Sequence, residues 1–168
     1  MESTLKKFLP GIQENVSLAN YTTFRIGGPA KYFFIASNEK DLVKAVRVTR
    51  EQNLPYYVLG GGSNLLVADN GFDGLVIKIR NSQSAIRNSQ IITEAGVLLG
   101  VLVVQAMRNG SSGLEWATGI PGTIGGAVYG NANAYGHDIS EVVKSVKTID
   151  NKLQIKDYKS KDCKFGYR

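Results

Sequence analysis

The 168-residue sequence predicts an α+β chain in two subdomains, residues 1–79 and 80–168. Three observations predict it. A strand, a helix and a strand follow one another with tight links from Lys31 to Leu59. An apolar helix and an alternating hairpin, between Leu98 and Tyr158, form a second group of a different kind. Each group carries one glycine-rich run, "LGGGSNLLV" (Leu59–Val67) and "ATGIPGTIGGAVYGNANAYG" (Ala117–Gly136).

Lys31–Ala36, "KYFFIA", is rich in aromatics and follows "IGGP", so it reads as a strand. Glu39–Asn53 reads as a helix. Leu42, Val46 and Thr49 fall at i, i+4 and i+7, Val43 widens the stripe, Asn38 can cap the start, and Pro55 follows the end. Tyr56–Leu59 is a short buried strand. Strand, helix and strand then make a crossover, which implies a parallel pair. Asp69–Gly74 reads as a turn and Leu75–Ile79 as a strand. "RNSQ" occurs at Arg80–Gln83 and again at Arg87–Gln90, too short a repeat to signal a solenoid. Ile91–Ala95 is a strand, and Leu98–Asn109 an apolar helix stopped by Gly110. Val142–Tyr158 alternates around "DNK" as a hairpin.

The apolar share of 43% and charged share of 20% are those of an ordinary globular domain. No apolar run approaches roughly 18 residues, so no membrane span is expected. The N-terminal "MESTLKKFLPGIQEN" lacks an apolar core and a cleavage site, so no signal peptide is expected. Cys163 is the single cysteine, which excludes an internal disulfide and points to a reducing, cytoplasmic compartment. His137 is the single histidine. One His and one Cys far apart do not make a metal site, and a Ser/His/Asp triad has no second candidate base. Both residues read as structural. The net charge of +6 is concentrated at the end, with eight basic against three acidic side chains from Lys144 to Arg168. That stretch is either the solvated face of the hairpin or a field that attracts a phosphorylated ligand. Nucleic acid is not expected, because no stacking aromatics interleave with the charges.

The glycines pose the functional question. Main-chain N–H groups converge on an anion only where no Cβ blocks the approach, and consecutive glycines allow the φ values of such a nest. Gly60, Gly61 and Gly62 stand at the carboxyl end of a strand, where ligands bind in open α/β sheets, and Ser63 and Asn64 add side-chain donors. No Lys-Ser/Thr follows, so this is not a Walker A loop, and there is no G-x-G-x-x-G before a long helix. Taken alone, the run is either a tight turn or an anion site. The second run adds Gly119, Gly122, Gly125 and Gly126, with Pro121 stiffening the loop, followed by amides such as Asn131 and an aromatic in "NANAYG". Two such loops, one per subdomain, suit a dinucleotide lying between the subdomains.

"TTFRIGGPA", "VLGGGSNLLV", "GLEWATGIPGTIGGAVYGNANAYG" and "CKFGYR", in this order, resemble the UDP-N-acetylenolpyruvoylglucosamine reductase (MurB) family from about Asn20 to Arg168. The resemblance implies the two-subdomain FAD-binding fold of the p-cresol methylhydroxylase/vanillyl-alcohol oxidase type. It implies a tightly bound FAD reduced by NADPH, and reduction of an enolpyruvyl UDP-sugar to UDP-N-acetylmuramate for peptidoglycan. Gly60, Gly61, Gly62, Ser63, Asn64, Gly119, Pro121, Gly122, Thr123, Gly125, Gly126 and Asn131 are then the expected FAD contacts. Gly60–Asn64 has no histidine for covalent attachment, so the FAD is expected to be non-covalent.

By the same resemblance Arg168 is the catalytic arginine, its guanidinium suited to grip a carboxylate on which charge builds. Tyr167 lines the substrate pocket or packs in the core, and Trp116 is a core residue or a flavin contact. Two positions depart from the family's pattern: Asn133 stands where glycine is usual, and Gly130 where a larger residue is usual. Family members continue past the F-x-Y-R motif into a substrate-binding domain, whereas this sequence ends at Arg168. The chain alone is therefore expected to be an incomplete, inactive enzyme. The alternatives are a non-catalytic FAD-binding fragment or another flavin oxidoreductase of the same superfold.

Overall fold

The computed structural model describes residues 2–80, 82–88 and 90–167. The chain divides into two compact units, Met1–Asn81 and Ser82–Arg168.

The first unit is a four-stranded sheet with a helix on it. Helix α1 (Glu2–Phe8) precedes β1 (Gln13–Ser17), β2 (Pro29–Ala36), α2 (Glu39–Glu51), β3 (Tyr56–Leu59) and β4 (Phe72–Ile79). The strand order is β1-β2-β4-β3, with β1 antiparallel to β2 and the other pairs parallel. Helix α2 starts where its cap predicts: the Asn38 side chain accepts the Asp41 N–H at 2.9 Å. Its Ala45, Val46, Val48 and Thr49 are buried, and the helix packs on β2 and β4. The Thr49 hydroxyl, fully buried, donates to the Val46 carbonyl at 2.9 Å, which satisfies it within the helix.

The crossover differs from the expected one in a specific way. β2 and β3 run parallel, but β4 lies between them and pairs with both. Composition explains the choice. Leu75, Val76 and Ile77 are consecutive and all buried, as a central parallel strand covered on both faces requires. In β3 only Leu59 is buried, while Tyr57 and Val58 are exposed, the profile of an edge. β4 also starts at Phe72, so the expected turn is shorter than Asp69–Gly74. Beneath one face Leu18, Ala30, Phe33, Leu59 and Val76 form a core, and Tyr21 stacks on Phe33 with ring centroids 4.5 Å apart. Burying Phe33 completely contributes roughly 1.5–3 kcal/mol.

In the second unit the described strands pair antiparallel. β5 (Ser84–Arg87) pairs with β6 (Gln90–Thr93), with Arg87 opposite Gln90, so the second "RNSQ" begins on one strand and ends on the other. Helix α3 (Leu99–Arg108) ends at Gly110, whose φ of +64° makes it the left-handed C′ residue. Short α4 (Ile124–Tyr129) leads into a two-residue ladder, β7 (Asn133–Ala134) with β8 (His137–Asp138). β9 (Ser145–Ile149) and β10 (Ile155–Lys159) form the hairpin read from the alternation. Asp150 closes its turn by accepting the N–H groups of Lys152 and Gln154 and pairing with Lys156 at 2.6 Å. The core joins α3 to α4 through Leu99, Leu102, Trp116, Ala117, Ile124, Ala127 and Ile139.

Candidate functional site

In the first unit, Gly60–Asn64 leaves the end of β3 beside the end of β4. Two of its carbonyls are held back into the protein. The Gly60 carbonyl accepts from the Lys78 ammonium, and the Gly62 carbonyl accepts the Thr23 N–H at 3.0 Å. In a planar trans peptide the N–H points opposite to the C=O. The N–H groups of Gly61 and Ser63, which share those two peptide units, therefore turn to the other side of the loop. N–H groups turned outward from a loop are the kind of donor that an anion-binding nest uses. Gly62 has a φ of +67° and lies against the Tyr21 main chain, where a Cβ would overlap the Tyr21 carbonyl oxygen. Ser63 is half-buried, and Asn64 is exposed. Lys78 is a residue that sequence reasoning missed. Strand pairing alone brings it there, opposite Leu59 in the β3–β4 register and so one residue short of the glycines. Burial pushes its pKa below the ordinary lysine value.

The second loop is tied through amides as well as a carbonyl. Its amides are engaged: Ile124 N–H donates to Val97 and Gly125 N–H to Ala95, each at 2.8 Å. The Gly122 carbonyl accepts the Leu99 N–H at 3.0 Å, and Thr123 bridges to Leu98. A Cβ on Gly125 would stand 2.8 Å from the Ala95 Cβ, so this glycine serves close packing. Gly119, with a φ of +83°, faces open space, and a Cβ on Gly126 would meet only the Thr123 hydroxyl at 3.6 Å. Pro121 is exposed. Thr123 is 4% exposed, yet its hydroxyl has no hydrogen-bond partner among the described residues. A buried hydroxyl in that state is an orphan that a bound group would satisfy.

Asn131 is 5% exposed and stands at a φ of +42°, which Asn tolerates better than most residues. Its amide donates to the Gly166 carbonyl at 3.0 Å, so it joins "NANAYG" to the terminal "FGYR". Its side-chain oxygen is the second orphan. The two motifs share a polar cavity of about 320 Å³, lined by Asn131, Asn133, His137, Asp138, Ser140 and Tyr167 among others. The Ser140 hydroxyl, and then its N–H, hold the Asp138 carboxyl below its usual range. Tyr167 is 83% exposed at this cavity and is not a core residue. Arg168 lies outside the described residues.

Trp116 is 7% exposed within the second core and donates to the Gly113 carbonyl at 3.0 Å. His137 pairs with Glu141 at 2.9 Å, and the Cys163 thiol contacts the Lys159 carbonyl. No group of three His, Cys, Asp or Glu able to hold a metal occurs among the described residues. No helix among them is long and apolar enough to cross a membrane.

Comparison with known proteins identifies the family and the fold. A family model described as "FAD binding domain" matches residues 30–156. The UDP-N-acetylenolpyruvoylglucosamine reductase of Lactobacillus helveticus is 38% identical over 165 residues, covering 98% of this chain and 55% of that protein. That of Carboxydothermus hydrogenoformans is 38% identical over 169 residues, covering 99% of this chain and 56% of that protein. The crystal structure of the Thermus caldophilus reductase superposes with a TM-score of 0.78 at 35% identity, over 94% of this chain and 56% of that one. A solvent-stable cholesterol oxidase, at 16% identity and a TM-score of 0.67, shares the fold. The chain spans about half the length of the curated relatives it matches. The fold is the α+β FAD-binding fold of the vanillyl-alcohol oxidase type. The chain belongs to the family of FAD-binding domains, and the relatives it resembles over nearly its whole length are UDP-N-acetylenolpyruvoylglucosamine reductases.

Proposed function

We propose that this chain is the flavin-binding part of an NADPH-dependent cytoplasmic reductase that converts UDP-N-acetylenolpyruvoylglucosamine to UDP-N-acetylmuramate for peptidoglycan synthesis. The observation that carries the reading is the first glycine loop. Its Gly60 and Gly62 carbonyls are tied inward, which turns the Gly61 and Ser63 amides toward a pyrophosphate. In the second unit, taken by itself, the Thr123 hydroxyl is unsatisfied among the described residues and the main chain at Gly119 and Gly126 is open, as a cofactor-facing loop requires. FAD held by such groups would supply hydride chemistry, with NADPH as the reductant.

The chain's own residues supply binding and charge. Asn131 fixes the Gly166 carbonyl, two residues before Arg168, and so sets where the end of the motif starts from. In this reading the Arg168 guanidinium grips the substrate carboxylate through two hydrogen bonds and stabilises the negative charge that builds beside it. Tyr167, at the polar cavity, contacts the substrate. The FAD is held without a covalent bond. Gly60–Asn64 offers no histidine, and His137 is engaged with Glu141.

The test is the colour of the purified protein. We expect a yellow protein whose flavin stays in the supernatant after acid precipitation and whose absorbance is bleached anaerobically by NADPH. A protein that is colourless and takes up no added FAD would refute the reading. Colour that precipitates with the protein would refute the non-covalent part.

A further inference from the structure

Lys78 is a half-buried lysine whose ammonium donates to a main-chain carbonyl. None of the ion pairs among the described residues includes it. It sits opposite Leu59 in the parallel β3–β4 register, and its side chain folds over the strand end to the carbonyl of the next residue, Gly60. Three consequences follow. The Gly60 carbonyl, which would repel an anion, is held toward the sheet. The Gly61 N–H in the same peptide unit is thereby turned to the opposite side. And because the acceptor is neutral, the bond leaves the positive charge of the ammonium uncompensated behind the loop.

We propose that Lys78 is a positioning residue for the pyrophosphate loop, clamping the Gly60 carbonyl so that the loop presents N–H groups, with a net positive charge behind them, to a diphosphate. This rests on the reading of Gly60–Asn64 as the FAD loop. It goes beyond that reading by assigning the loop's conformation to a side chain on a neighbouring strand. The Thr23 N–H does the same for Gly62 through the main chain, which no substitution short of proline can remove. Lys78 is thus the side chain through which the loop can be unclamped.

The experiment compares wild type, Lys78→Met and Lys78→Arg in FAD titrations followed by flavin fluorescence. Apo melting temperatures and the amide NMR shift of Gly61 are measured alongside. A hydrogen bond to a charged group is lost in Lys78→Met, so its Kd for FAD is expected to rise about tenfold or more. The apo melting temperature should move by no more than about 5 °C. Lys78→Arg, which keeps a charged donor of similar reach, should recover most of the affinity, and the Gly61 amide should shift only in Lys78→Met. A Kd in Lys78→Met within twofold of wild type would overturn the proposal. So would equal losses of affinity in both variants with matching losses of melting temperature, since that pattern marks a merely structural lysine. If wild type itself takes up no FAD, the functional reading fails, and an unmoved Gly61 amide in Lys78→Met still decides the clamp by itself.

Discussion

The two glycine-rich loops have similar compositions and different wiring. At Gly60–Gly62 the protein takes hold of carbonyls, through Lys78 and Thr23. At Ile124–Gly125 it takes hold of amides, through Val97 and Ala95. The first arrangement aims donors outward and suits an anion. The second locks a short helix against the preceding segment and leaves a hydroxyl, Thr123, as its unsatisfied group. A run of glycines therefore does not define one role. In the first loop the missing side chains permit a ligand-facing conformation, while Gly125 is a glycine because Ala95 stands where its side chain would be.

The comparison can be broken most sharply at Gly62. Gly62→Ala forces a Cβ onto the Tyr21 carbonyl at a φ of +67°. It should destabilise the first unit by about 3 kcal/mol or more and abolish FAD uptake with it. Urea denaturation followed by circular dichroism measures this, and a midpoint unchanged from wild type would show that the loop yields freely. A smaller effect is expected at Gly125. Gly125→Ala should cost about 1–2 kcal/mol through overpacking against Ala95, with FAD affinity of the folded protein nearly unaltered. Ala95→Gly in the same chain should recover part of the loss, and a double-mutant cycle reads the coupling. Additive costs would mean that the two positions do not press on each other.

The smallest expected effect concerns the ledge after the second loop. The Asp138 carboxyl is held below its usual range chiefly by the Ser140 hydroxyl. A group whose folded pKa is depressed stabilises the fold above its unfolded pKa, about pH 4, and loses that contribution as pH falls through the folded value. Asp138→Asn should flatten the acid limb of the melting-temperature profile below about pH 4 and leave the neutral region little changed. An unaltered acid limb would remove Asp138 from the groups responsible.

Much of this architecture is written locally. The cap at Asn38, the stop at Gly110 and the alternation of β9 and β10 are short-range signals, and the elements stand within a few residues of where those signals place them. What local signals do not carry is pairing. Nothing near Phe72–Ile79 says that it enters between β2 and β3, because that depends on which strand can be buried on both faces. β1, "QENVS", has four polar residues of five and no alternation to betray it, since it is recognised by its antiparallel partner β2. The site follows the same division. The glycines, Thr123 and Asn131 are visible as residue types, whereas the inward ties of the carbonyls are tertiary contacts. Lys78, distant from the loop in sequence, had no reason to be singled out.

The insertion of β4 has one more consequence. β3 and β4 are parallel neighbours, so the chain from Gly60 to Gly71 must return the whole length of the sheet before β4 begins. Such a return ordinarily takes a helix, and about a dozen residues is near the shortest span that can achieve it. Here the glycine loop and the segment after it perform the return with no helix. The stretch proposed to hold the cofactor is therefore also the connector between two paired parallel strands. A change that disturbs the glycine loop therefore bears on the pairing of β3 with β4 as well as on any ligand, so cofactor binding and the integrity of this sheet edge are coupled through one segment.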